Sequence, residues 1–236
     1  MCYYLLTMPS GFLLIDKPPG PTSHDIVDQV RRATGEKRVG HAGTLDPFAS
    51  GLLIVGVGRE ATKEFEKLVG LPKAYEAVFI LGATSETDDV EGPIRPTGKS
   101  LPTLDVVKKA ATKFVGEIEQ LPPRHSAVKV GGQKAYEAAR KGQTLELKKR
   151  RVTISRFEMR EAIVADGLLR LPVSLAVSSG TYIRAIARDL GEALGCGGYV
   201  AELRRTSIGP FLVTESVPQK DWGVVRISVE DLLKRV

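Results

Sequence analysis

The segment Gly40-His41-Ala42-Gly43-Thr44-Leu45-Asp46-Pro47-Phe48-Ala49-Ser50-Gly51 concentrates side chains able to do chemistry. Its glycines, its histidine and an aspartate stiffened by the following proline predict an irregular loop running straight into a buried strand. Such a loop holds Asp46 in one orientation. Two readings are open: a carboxylate presented for covalent or proton-transfer work, or an Asx turn in which Asp46 only accepts backbone amides. A second segment, Ser179-Gly180-Thr181-Tyr182-Ile183-Arg184, ends a regular strand pattern and opens a helix. Tyr182 and Arg184 are two positions apart at that junction, a spacing that lets both reach one cleft. An arginine beside an aspartate keeps it ionised and can hold it bidentately; the alternative is a surface tyrosine and arginine.

Other catalytic templates fail. His24, His41 and His125 stand far apart, with no i,i+4 pair and no zinc-ligand spacing. There is no Gly-x-Ser-x-Gly elbow and no Gly-Lys-Ser/Thr phosphate loop. Gly56-Val-Gly58-Arg-Glu-Ala61 matches a dinucleotide fingerprint, but Glu76, the acidic residue at roughly the right distance, sits at the beginning of its strand and not at the end. A turn that needs small residues explains the match better. The chemistry is expected to run with no metal and no cofactor.

These segments must be positioned by the elements around them. Phe12–Asp16 reads as a short buried strand closed by Lys17-Pro-Pro-Gly-Pro21. A helix capped by Thr22 or Ser23 follows, with Ile26, Val27, Val30 and Ala33 as its apolar stripe and Gly35 as its stop. Leu52–Val57 is a strand, Ala61–Leu68 a short helix, and Tyr75–Leu81 a strand with two different faces. Thr103 caps a helix bearing Leu104, Val107, Ala111 and Phe114. Val152–Met159 and Leu168–Val177 form a strand pair joined through Asp166-Gly167, and Thr181–Leu194 is a helix stopped by Gly195. The stretch Thr84–Leu101 reads as a long surface loop. Adjacent strands without regular βαβ alternation predict an α+β fold around a mixed, mostly antiparallel sheet flanked by helices, in one domain over residues 1–236.

Composition restricts the function classes. With 236 residues, 42% hydrophobic and 26% charged, the chain has the make-up of a globular protein, not of a disordered or fibrous one. Cys2 and Cys196 cannot build a disulfide framework, and no apolar run approaches the roughly 20 residues of a membrane span. Residues 1–10 lack the features of a signal peptide and read as a ragged extension, so a cytoplasmic protein is expected. The net charge is +6, and its distribution matters more than its size. From Arg124 to Arg160 eleven basic residues face three acidic ones, a net +8 that leaves the remainder of the chain at −2. A local excess of this kind is either an electrostatic footprint for phosphates or a solvated basic hairpin.

Taken together with Leu14-Ile-Asp-Lys17-Pro18 and Lys73-Ala-Tyr75, the two chemistry-bearing segments resemble the TruB family of tRNA pseudouridine synthases, which act on the T-loop uridine at position 55. The matching stretches are GFLLIDKPPGPTSHD, GHAGTLDPFASGLLIVGVGREATK, KAYEA, LPPRHSAVKVGGQKAYEAARKG, SSGTYIRAIARDLGEALGCGG and ELRRTSIGPF, in family order from residue 11 to about residue 213. The resemblance implies the pseudouridine synthase fold. It implies that Asp46 is the catalytic aspartate, Tyr75 the ring that stacks on the target uracil, and Arg184 the basic partner of the aspartate. Tyr182 corresponds to a pocket residue, His41 to the residue that fills the space of the flipped base, Leu203 to an apolar wall, and Lys17 with Pro18 to a motif supporting the pocket. The basic stretch, residues 124–151, corresponds to a thumb-like insertion that clasps the T arm, with Lys129, Lys148, Lys149, Arg150 and Arg151 as contacts to the RNA backbone.

Two departures stand out. His125 takes the place of the tyrosine or phenylalanine that many relatives carry before Ser-Ala, which leaves its role open, and no C-terminal PUA domain is expected after Val236. The expected partner is tRNA, through its T stem-loop, with no membrane, no required protein partner and a monomeric state. Two rival readings are a guide-dependent, dyskerin-like pseudouridylase and an RNA-binding or RNA-folding module without turnover.

Overall fold

The structure, a computed structural model, describes residues 10–126, 128–130, 133–135, 138, 145–224 and 226–236. Cys2 and most of the N-terminal extension lie outside these, as do Arg140, Lys141 and the side chain of Lys129 in the basic segment. The strands in chain order are β1 (Gly11–Lys17), β2 (Val39–His41), β3 (Ser50–Val57), β4 (Lys73–Leu81), β5 (Ala83–Ser85), β6 (Ile94–Pro96), β7 (Gly116–Gln120), β8 (Lys129–Val130), β9 (Gln133–Lys134), β10 (Arg150–Met159), β11 (Ile163–Ala165), β12 (Leu168–Val177), β13 (Gly198–Ile208), β14 (Phe211–Leu212) and β15 (Ile227–Ser228). The chain forms two compact units, one of residues 1–73 and 204–236 and one of residues 74–203. Each is built of mostly antiparallel strands flanked by helices.

In the first unit β3 lies antiparallel to β1, with Leu14 opposite Ile54, and parallel to the end of β13. Phe12, Leu14, Leu52 and Ile54 point to one core with Phe211 and Leu232. Leu13, Ile15, Leu53 and Val55 point to another with Ile26, Val27, Val30 and Trp222. Both faces of β3 are covered, which explains why it reads as an unbroken apolar run. In the helix Ser23–Thr34 the cap is Thr22, which forms a capping box with Asp25, and the helix has the predicted stop at Gly35, whose φ of 70° suits glycine. Ala33 is exposed, so the buried stripe ends at Val30.

The helix expected over Ala61–Leu68 is two, Arg59–Lys63 and Phe65–Val69. Phe65 turns its ring onto Gly40 and Gly56, where an added Cβ would lie 2.9 and 2.8 Å from it. Gly56, the first glycine of the Gly-x-Gly-x-x-Ala pattern, therefore serves packing under an aromatic ring, while Gly58 lies against Ser10.

In the second unit the strand order is β13-β4-β12-β10-β7, with β11 on β12. Leu169, Leu171, Val173, Leu175 and Val177 are all buried, as their period of two predicts. β10 does pair with β12, but the Asp166-Gly167 turn, with φ of 52° and 72°, joins β11 to β12. A two-residue turn with both φ positive fits a tight hairpin. Thr103 stands at the start of the helix Leu104–Thr112 without a side-chain cap, and Leu104 is exposed. The stretch Thr84–Leu101 is more than a surface loop: β5 and β6 pair within it, and Asp88 and Asp89 are buried. A buried carboxylate needs a partner, and the sequence around it names none.

Candidate active site

Asp46 sits half-buried in the first unit, in the loop between β2 and β3. Neighbours outside the loop hold its backbone on both sides. Ser23, 2% exposed, uses its hydroxyl twice: it donates to the Leu45 carbonyl at 3.0 Å and accepts from the Leu45 amide at 2.9 Å. The Lys17 ammonium, fully buried, donates to the carbonyls of Pro18, Pro21 and Pro47 at 2.9, 2.8 and 3.2 Å. Arg205 donates to the carbonyls of Gly43, Thr44 and Leu52. Within the loop the Asp46 carbonyl accepts from the Ala49 amide at 3.1 Å. A loop pinned this way fixes where a carboxylate points before any substrate arrives.

His41 lies on β2 opposite Val55. Burial first, then the charges of Arg205 and His24, holds its pKa below the ordinary histidine value, so the imidazole is neutral at neutral pH. Lys73, 8% exposed at the start of β4, donates to the carbonyls of Val69 and Leu71. Burial, helped by Arg205, brings its pKa down to about 8.

The second unit holds Tyr75, Tyr182, Arg184 and Leu203. Arg184 is buried, with Nη1 donating to Asp89 Oδ2 and to the Thr87 carbonyl, both at 2.9 Å, and Nη2 donating to the His125 carbonyl at 3.0 Å. The backbone of His125 thus helps to fix the guanidinium. Asp89 is itself oriented, since Oδ1 accepts from the Glu91 amide and the Thr87 hydroxyl. The Gln120 side chain clasps Tyr182 by its backbone, donating to its carbonyl at 3.0 Å and accepting from its amide at 2.8 Å. Tyr75 is half-buried on β4, and Leu203 is 8% exposed on β13.

Next to this set Arg188 donates to Asp88 Oδ2 at 3.0 Å and to the Leu121 carbonyl at 2.7 Å. Burial raises Asp88 to a pKa of about 6, against the pull of Arg188 and Arg184. Lys148, Lys149, Arg150 and Arg151 are exposed where the chain enters β10. Asp89, Gln120 and Arg205 are the supporting residues that sequence reasoning missed. Each is a polar side chain inside an apolar pattern or next to a turn, a sign of burial with a partner but not of which partner.

This arrangement can do one kind of work well. The first unit holds one carboxylate, Asp46, on a pinned loop, and the second holds one buried guanidinium, Arg184, in a fixed direction. A family model of the TruB family pseudouridylate synthase (N terminal domain) matches residues 31–183, and one of the tRNA pseudouridylate synthase B C-terminal domain matches residues 184–221. The chain belongs to the TruB family. The protein named tRNA pseudouridine synthase B of Mycobacterium sp. (strain KMS) is 48% identical over 209 residues, covering 88% of this chain and 70% of that protein. Its namesake in Corynebacterium efficiens is 45% identical over 214 residues, covering 90% and 71%. Among solved structures, a Cbf5-Nop10-Gar1 complex matches with a TM-score of 0.65 and 32% identity over 86% of this chain, and an archaeal box H/ACA sRNP Nop10-Cbf5 complex with 0.63 and 30% over 90%. The chain spans about half the length of these solved chains, 50% and 52%. The fold is that of the pseudouridine synthases, and the enzyme is an isomerase, a tRNA pseudouridine synthase. No helix among the described residues is long and apolar enough to cross a membrane.

Proposed function

We propose that the enzyme converts the T-loop uridine at position 55 of tRNA into pseudouridine, with Asp46 as the reactive carboxylate and Arg184 as its basic partner. The reaction breaks the bond from N1 to C1′, turns the base and joins C5 to C1′; the proton lost from C5 is balanced by one gained at N1, so nothing is oxidised or reduced. It needs a nucleophile or ion stabiliser and a firmly held base, and one ionised carboxylate serves. A uracil stacked in the T loop is out of reach, and flipping it out costs a few kcal/mol. Stacking on Tyr75, about 1–3 kcal/mol per base, offsets much of that cost. Tyr182, His41 and Leu203 shape the pocket, Lys17 supports it, and the basic segment holds the RNA by its phosphates. The enzyme acts in the cytoplasm as a monomer, without a protein partner.

The observation that carries this reading is the Asp46 loop, whose backbone is held from both sides by Ser23, Lys17 and Arg205. An Asx turn alone has no use for two buried cations. The likeness to the Cbf5 complexes favours a second reading, a guide-dependent enzyme, and the higher identity to the bacterial tRNA enzymes weighs against it.

Purified protein incubated with a T-arm stem-loop and no other component separates the readings. Turnover by the parent is expected. Asp46→Asn should abolish it while T-arm binding stays within about tenfold, because the change removes a charge and keeps the shape of the pocket. Turnover only on addition of a guide RNA and its proteins would support the second reading, and turnover by the Asn variant would remove Asp46 from its role.

A further inference from the structure

Arg205 heads the large side chains that are fully buried, with 2% exposure. Nε donates to the Leu52 carbonyl at 2.7 Å, Nη1 to the Thr44 carbonyl at 3.2 Å and Nη2 to the Gly43 carbonyl at 3.1 Å. It forms no ion pair with a carboxylate among the described residues. A buried guanidinium without a counter-charge is costly, and carbonyl dipoles offset only part of that cost. A leucine or methionine would fill the same volume without it. What the guanidinium adds is a rigid planar fork, and here the fork spans both limbs of one loop: Gly43 and Thr44 lie just before Asp46, and Leu52 lies after it.

The strand that carries the fork is itself fixed against the loop. Arg205 pairs in parallel with Gly51, and a Cβ at Gly51 would come within 2.2 Å of the Arg205 carbonyl oxygen, so only glycine permits the approach. Its charge also acts on the neighbourhood, where it helps to keep His41 neutral and lowers the pKa of Lys73.

We propose that Arg205 is a positioning residue for Asp46, its guanidinium setting the two limbs of the catalytic loop relative to each other. This rests on the reading of Asp46 as the reactive carboxylate. Lysine keeps the charge but concentrates its donors at one point, so it cannot reproduce a fork that reaches opposite limbs.

The test compares the parent with Arg205→Lys and Arg205→Met in the full chain. It measures turnover and affinity on a T-arm stem-loop, together with amide hydrogen exchange across residues 43–51. For Arg205→Lys, kcat should fall by about tenfold to a hundredfold while T-arm affinity stays within about twofold, because a loop misplaced by less than an ångström loses rate before it loses binding. Exchange across the loop should rise about tenfold, with the helix Ile183–Ala193 unchanged. Where Arg205→Met fails to fold, the Lys variant decides. An unchanged kcat overturns the proposal, as does a fallen kcat with unchanged loop exchange, which would mean that Arg205 acts by something other than position. Loss of T-arm affinity alone overturns it too, as an RNA contact. A parent inactive on the T arm would sink the proposed function, and the exchange measurement would then decide the loop-holding role by itself.

Discussion

Arg184 and Asp89, 95 positions apart in the chain, form an ion pair at 2.9 Å with side chains 5% and 2% exposed. The carboxylate comes from the turn between β5 and β6, and the arginine from the first turn of the helix Ile183–Ala193. A pair this buried is weak evidence for stability, since desolvation of both charges opposes their attraction. It is better evidence for placement. With the Thr87 and His125 carbonyls on its other donors, the guanidinium is held from three directions.

Breaking the pair by Asp89→Asn keeps the shape and leaves a buried charge uncompensated. Unfolding in urea should show a loss of about 3 kcal/mol, near the lower end for such breaks, and kcat on the T arm should fall with little change in affinity. A loss under about 0.5 kcal/mol, the range of ordinary surface changes, would show that the pair contributes nothing.

Tyr75→Phe should bind the T arm nearly as well as the parent, because the ring supplies the stacking, whereas Tyr75→Ala should lose about 1–3 kcal/mol of flipped-base stabilisation. Equal activity of the Ala variant and the parent would place the uracil elsewhere. If Phe is as inactive as Ala, the hydroxyl has a chemical role.

Lys148, Lys149, Arg150 and Arg151 are all exposed, and the Arg151 contact to Glu117 is long, 3.8 Å between side chains 77% and 66% exposed. Such a pair holds little of the charge back from RNA. If each of the four neutralises a phosphate, replacing all with Ala should flatten the slope of log K against log salt by about 3. Because phosphate contacts position and do not read bases, all stem-loops should weaken about equally. An unchanged slope would make this run a solvated end of β10.

Asp88 supplies a pH test. Its folded pKa, about 6, stands above the ordinary value of 3.8, so the folded state binds the proton more tightly than the unfolded chain. The contribution of that proton to stability is full below about pH 4 and is lost as the pH rises through about 6. Asp88→Asn cannot lose it. The stability of the parent relative to this variant should therefore decline between pH 4 and 6, by at most about 3 kcal/mol at 1.36 kcal/mol per pKa unit. Parallel curves would mean that Arg188 holds Asp88 ionised throughout.

Local pattern made much of the scaffold legible. The capping box at Thr22 and Asp25, the stop at Gly35, the unbroken run of β3 and the alternation of β12 are consequences of near neighbours in the chain, and each is where its residues predict. Where the pattern misled, a distant residue was responsible. The helix over Ala61–Leu68 divides where Phe65 turns toward Gly40 and Gly56, and Asp166-Gly167 makes its hairpin with the short β11, whose exposed residues leave little periodic signal.

By itself the sequence determined the α+β class, the basic segment and the residues able to do chemistry, because residue type, spacing and charge are properties of the chain alone. Only the tertiary structure decided what holds those residues. Nothing near Asp89 in sequence points to Arg184, nothing near Gln120 points to the backbone of Tyr182, and Arg205 reads as one more cation in Leu203-Arg-Arg-Thr206 until its fork is seen on Gly43, Thr44 and Leu52. The physical reason is common to all three. A buried polar group must be satisfied, but the partner that satisfies it is chosen by which strands and loops the fold brings alongside, and that choice is made over separations of many tens of residues.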